Sequence, residues 1–215
     1  MTSRTPQPHD LPPDRPLFRL YRRTLDNGSP GNPLWFCPGE TNPAESCRFD
    51  LHHAGPGRAG PGTCYTAEEA TTAFLEAFKN TCGVGVPDKT EIDKKRLANL
   101  TVKASRQLVD LNEPANDGLM GITNALIIET TESYPLSHTF AGEAYDADFQ
   151  GVRWKSLRDP TYQGRNCALF SDTSGLDPHG IFNPPKTQDI PDGLVKAVEV
   201  TIRRSQLRSA EEYPL

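Results

Sequence analysis

The segment Gly62-Thr63-Cys64-Tyr65-Thr66-Ala67-Glu68-Glu69, running into Ala73-Phe74-Leu75-Glu76-Ala77-Phe78, constrains the chain most, because a strand must feed almost directly into a helix. Thr66 and Glu69 have the spacing of a capping box, which predicts a helix starting at Ala67. Ala70, Ala73, Phe74, Ala77 and Phe78 recur at three- to four-residue intervals and form one apolar stripe that packs inward. At about 100° per residue, Glu76 falls on the flank of that stripe, where a carboxylate can line a cleft without being sealed in a core. Taken alone, Glu76 also reads as a solvated helix glutamate. Glu69 lies on the same side, but the cap accounts for it. A tyrosine at a strand end and a carboxylate on the following helix outline one wall of a pocket.

With 215 residues the chain is long enough for one sizeable core and short for two. Twenty prolines, seventeen glycines and 35% hydrophobic residues make it loop-rich, yet the apolar segments are spread along its length and argue against global disorder. The net charge of −5 supplies no basic footprint for a nucleic-acid backbone, so direct nucleic-acid binding is not expected. No apolar run follows Met1 or approaches spanning length, so a soluble, cytoplasmic protein with no membrane segment is expected. The five cysteines include no C-x-x-C pair and read as reduced thiols. His52-His53 is a poor metal site, since adjacent side chains diverge in regular structure, and His138 reads as a helix-face residue.

Residues 1–16, rich in proline, form an extended or disordered lead-in. The single domain is expected over 17–205, with a frayed tail at 206–215. Leu17 to Tyr21 reads as a strand whose central Arg19 needs a partner or an edge position, because an unpaired buried guanidinium is costly. From Asp26 to Pro61 the chain is a long irregular connection in which Arg48 beside Phe49 is a candidate ligand contact. Leu97 to Val102 and Gln107 to Leu111 read as short strands, joined as a hairpin. Helices are expected at about 117–129 and 134–147. Gly151 to Ser156 alternates like a strand, and Asn166 to Phe170 reads as a central one. Val198, Val200 and Ile202 alternate with polar residues and suggest a closing strand.

Arg19, Arg48, Tyr65, Glu76 and Ser156 each fall at the end or edge of a predicted element. With their flanking segments, Leu17-Phe18-Arg19, Arg48-Phe49, Gly62 to Glu68, Phe74-Leu75-Glu76, Gly151 to Arg158 and Gly164 to Phe170, they form an ordered set over residues 17–172 that resembles the RES domain family of bacterial toxin–antitoxin pairs. Cys47 before Arg48, where the family usually has glycine, and the long glycine-rich stretch from Asp50 to Gly62 are departures. The resemblance implies an α+β fold, a single mixed domain of small sheets flanked by helices like that of ADP-ribosyltransferases. It implies that NAD+ is bound in a bent form as substrate, without a resident cofactor, and that its nicotinamide–ribose bond is broken. On the same resemblance Arg19 binds the phosphates, Tyr65 stacks on the nicotinamide or its ribose, Glu76 serves the reacting ribose, Ser156 lines the pocket, and Arg48 with Phe49 completes the wall. Many members have an antitoxin partner that blocks the cleft; a homo-oligomer is also compatible.

The residue types suit that chemistry. An oxocarbenium-like transition state needs a fixed negative charge, which glutamate supplies. A pyrophosphate needs permanently charged, planar donors, which arginine supplies better than lysine. An aromatic face beside cationic nicotinamide adds about 0.5–2 kcal/mol. Water, inorganic phosphate and a protein side chain all remain open as acceptors of ADP-ribose, as does a catalytically idle nucleotide-binding module.

Overall fold

The computed structural model describes residues 6–38, 47–51, 61–78, 82, 85–119, 134–177 and 179–212. Along these run β1 (Pro8–Leu11), β2 (Leu17–Arg22), β3 (Trp35–Pro38), β4 (Gly62–Ala67), α1 (Ala70–Ala77), α2 (Lys89–Asp93), β5 (Lys95–Leu100), β6 (Arg106–Asp110), α3 (Pro135–Asp146), β7 (Gly151–Lys155), β8 (Arg165–Ser171), β9 (Gly175–Leu176), β10 (Lys186–Asp189) and α4 (Asp192–Glu212). Neighbouring strands follow the order β1-β6-β7-β8-β4-β2-β5-β10, with β3 beside β4 and β9 beside β3. The fold is α+β, a mixed sheet flanked by helices, in which β6 and β7 run parallel and the other strand pairs antiparallel.

The two-residue period of the strands sorts the core into layers. On one face Val152, Trp154, Ala168 and Phe170 pack with Phe49 and with Phe140, Ala141 and Ala144 of α3. On the other, Leu17, Tyr21, Cys64, Leu108, Cys167 and Leu169 pack with Phe36 and Phe182. A third cluster joins Phe74, Leu75 and Phe78 of α1 and its C-terminal turn to Val198 and Ile202 of α4, with Phe18 and Leu20 of β2 alongside.

Several expectations need correction. The capping box of Thr66 and Glu69 does not form and no helix starts at Ala67: β4 extends to Ala67, paired with Asn166 of β8, and α1 begins at Ala70 with no side-chain cap. Strand pairing outweighs the local cap, and the Thr66 hydroxyl donates instead to the Cys167 carbonyl at 3.4 Å. β5 and β6 are both present but form no hairpin, since β5 pairs with β2 and β10 while β6 pairs with β1 and β7. The closing strand is a helix: Val198 and Ile202 are buried four residues apart, whereas Val200 is exposed. That helix runs on to Glu212, so the expected tail is helical over its first residues. Of the lead-in, Pro8–Leu11 pair with β6 as an edge strand. The 117–129 helix and His52-His53 fall mostly or wholly outside the described residues. No helix among the described residues is long and apolar enough to cross a membrane.

Candidate active site

The site lies where the sheet comes apart. β4 holds six register pairs with β8, and β2 holds six with β5, but β2 and β4 meet only at Phe18 and Ala67. At its other end the same edge of β4 is taken by β3, through Thr63 with Cys37 and Gly62 with Pro38. Between these two contacts Cys64, Tyr65 and Thr66 have no strand on that edge among the described residues. A cavity of about 280 Å³ opens there, bounded by β2, β4, α1 and the side chains of Trp154 and Asn166.

Glu76 is delivered to it by the last turn of α1, whose Phe74 and Leu75 are buried. One carboxylate oxygen, Oε1, accepts hydrogen bonds from Ser156 Oγ and from Asn166 Nδ2, both at 2.7 Å. Both donors are buried, so the carboxylate is held from the protein side. The second oxygen, Oε2, has no hydrogen-bond partner among the described residues and is free to act on a ligand. Among the described lining residues Glu76 is the only carboxylate and Arg19 the only cation.

Ser156 is itself anchored. Its Oγ accepts from the amides of Arg158 at 3.1 Å and Asp159 at 3.2 Å, closing the turn that follows β7. Buried Asp159 then accepts from the amide of Thr161 at 2.9 Å and that of Gly164 at 2.6 Å. A Cβ on Gly164 would lie 2.2 Å from Thr72 Oγ1 of α1, so only glycine lets this loop press against the helix that carries Glu76.

Tyr65 presents its ring to the cavity while its hydroxyl is occupied elsewhere: it donates to Asp50 Oδ1 and accepts from the Phe49 amide, both at 2.8 Å. Burial, followed by the adjacent Asp50 carboxylate, pushes the phenol well above its ordinary value and keeps it protonated. The ring is therefore locked in orientation, edge-on to Trp154 at 6.3 Å. Phe49 does not line the cavity; it is fully buried behind Trp154, with ring centroids 4.8 Å apart. Arg48 does not line it either, and its guanidinium sits 5.5 Å from the Tyr134 ring. Ser156 reaches the cavity only through Glu76, as a positioning residue. Arg19 does line it, but Nη1 is spent on the carbonyls of Pro33 at 2.9 Å and Trp35 at 2.8 Å and on Cys64 Sγ at 2.9 Å. Its Nε and Nη2 have no hydrogen-bond partner among the described residues and are the donors left for an anion.

The RES domain family profile matches residues 16–187, most of the chain. The chain belongs to the RES domain family. The fold of this RES domain is similar to that of a chain in the crystal structure of the M. tuberculosis MbcT–MbcA toxin–antitoxin complex, with a TM-score of 0.55 at 16% identity over 89% of this chain and 92% of the other. No curated protein matches it.

The strand placing Trp154 and the helix placing Glu76 were legible in this RES domain, but Asn166, Trp154, Cys37 and Cys47 were not recognised as pocket residues. Asn166 carried a usable signal. It is a polar residue opening an otherwise apolar strand, and a buried amide there requires a partner.

Proposed function

We propose that this RES domain degrades NAD+ by breaking the bond between nicotinamide and ribose. Water or inorganic phosphate then takes the ADP-ribose, giving free ADP-ribose and a proton in the first case and its 1-phosphate in the second. The observation that carries this reading is a glutamate fixed through one oxygen by Ser156 and Asn166, with its other oxygen unengaged among the described residues, in the same cavity as Arg19. As the bond to the cationic leaving group lengthens, positive charge moves onto the ribose, and a carboxylate already held in place stabilises it without reorganising. The locked Tyr65 face and the edge of Trp154 suit a flat cationic ring. Nε and Nη2 of Arg19, unpartnered among the described residues, suit a phosphate oxygen pair.

Membership of the RES family supports an NAD-directed enzyme, and the similar structure comes from a complex described as toxin and antitoxin. On this reading expression drains cellular NAD+, and a cognate antitoxin protects by covering the cleft. The test is to incubate the purified chain with NAD+, with and without phosphate, and follow nicotinamide release together with labelling of the protein. Release without labelling, faster with phosphate if phosphate is the acceptor, is expected. NAD+ that binds but is never cleaved leaves an idle binding module, and stoichiometric protein labelling makes a side chain the acceptor.

A further inference from the structure

The inner cavity is too small for the proposed substrate. Its volume of about 280 Å³ lies just below the range of about 300–1,000 Å³ that encloses drug-sized ligands, whereas NAD+ carries two bases, two sugars and a pyrophosphate. A second cavity of about 610 Å³ adjoins it, and the two share Arg19, Leu20 and Cys37 as common wall. Arg19 therefore stands at the waist between an inner chamber holding Glu76 and an outer chamber formed by the connection from β2 to β3.

The outer chamber has the features of a base site. Trp35 is 47% exposed, Leu176 opposite it in the β3–β9 register 53%, and Leu25 43%, and all three line this one cavity. Single exposed apolar side chains are ordinary, but three gathered around a concave surface form a patch that water does not favour. Asn32 lines the same chamber with its Oδ1 accepting from the Leu34 amide at 2.9 Å. That bond fixes the side chain and leaves its amide N–H groups without a partner among the described residues, available to a ring nitrogen or a ribose hydroxyl. The wall is fastened to the waist as well, because Arg19 Nη1 holds the carbonyl of Trp35 itself.

We infer that the outer chamber seats the adenosine half of the dinucleotide, with adenine against Trp35 and the pyrophosphate crossing the waist at Arg19. The inference rests on NAD+ being the substrate of the inner chamber, and it adds Trp35 and Asn32 as specificity-determining residues. Apolar walls with a few fixed polar donors suit a nucleobase, and base–aromatic stacking contributes enough for one side chain to be measurable.

The probe is 5′-AMP, which lacks the nicotinamide half, titrated into the full chain by calorimetry. Wild type should bind it saturably, Trp35→Ala should weaken binding by about tenfold or more, and Trp35→Phe, which keeps an aromatic face, should retain most of the affinity. If Trp35→Ala does not fold, Leu176→Arg serves instead, since it fills the chamber from the facing strand and should abolish AMP binding. Wild type that fails to bind AMP, or a Trp35→Ala or Leu176→Arg variant that binds it undiminished, overturns the adenosine seat. Nicotinamide release from NAD+ is measured on the same wild-type preparation. Its absence alongside normal AMP binding counts against the inner-chamber reading, whereas nicotinamide release without AMP binding counts against the outer one.

Discussion

A carboxylate that stabilises a short-lived cation must carry its charge at a fixed place, and Glu76 is built for this by two donors on one oxygen. Glu76→Gln keeps the shape and can still accept both hydrogen bonds, so it isolates the charge. Turnover should fall by about 10²-fold or more while NAD+ affinity changes little, as steady-state kinetics beside equilibrium binding would show. Unchanged turnover would remove Glu76 from the chemistry. Asn166→Ala frees the carboxylate on one side and should lower kcat roughly tenfold with KM nearly constant, since a hydrogen bond to a charged group is worth about 1.5–3 kcal/mol. A matching rise in KM would instead make Asn166 a ligand contact. Helical phase sets Glu76 on the flank of a stripe, which fits a solvated glutamate as well as a cleft one, and its place in the ordered set with Arg19, Tyr65 and Ser156 singled it out. The partners of Arg19 were not legible, because two are backbone carbonyls, of Pro33 and Trp35, brought back by a turn whose path no side-chain pattern announces, and the third is Cys64 Sγ on a strand distant in sequence.

Among the elements, those with a strong local signature stand where the sequence suggests: β2, β7, β8, α1 and α3 all appear within a few residues of their expected bounds. The departures occur where two periods compete. Val198, Val200 and Ile202 satisfy alternation, while Val195, Val198 and Ile202 satisfy the three- and four-residue steps of a helix, and packing on α1 decides for the helix. Paired substitutions separate the readings. In α4, Val198→Asp buries a charge and should cost about 3 kcal/mol or more, roughly 6–12 °C in Tm. Val200→Asp lies on the exposed face and should be nearly silent. A strand would place both on one face, so equal losses in a melting experiment would refute the helix.

Across the whole molecule, a charged cluster ties the N-terminal edge to the centre of the sheet. Arg153 of β7 donates through Nε to Glu68 at 2.5 Å and through Nη1 to Asp110 of β6, and Arg15 lies 3.3 Å from the same Glu68. Burial tends to raise the Glu68 carboxyl, but the bond and charge of Arg153, with Arg15, more than offset it and hold the group below its ordinary 4.5. His9 of β1 sits beside Arg153, Asp110, Glu68 and Asp10, and burial followed by the Arg153 charge lowers it from 6.5. Both groups bind protons more readily unfolded, so each contributes stability above its unfolded value that is lost as pH falls through its folded one. Tm should therefore decline from about pH 6.5 downward, more steeply below pH 4.5. His9→Gln should flatten the upper part of that decline, and an unaltered profile would exclude His9. Arg153→Met strands the buried Asp110 carboxylate and leaves Glu68 with Arg15 alone, and should cost about 3–5 kcal/mol by denaturant unfolding.

The opening between β2 and β4 gives the fold a seam. The two flanks of the sheet share one rung there, so the amides of Cys64 to Thr66 and of β2 facing them are tied to each other less firmly than to their outer neighbours. Whatever spans that seam acts as a cross-tie. Loading it with nucleotide should slow hydrogen exchange at those amides first and draw the two flanks into one cooperative unit, so that unfolding sharpens as well as shifting upward.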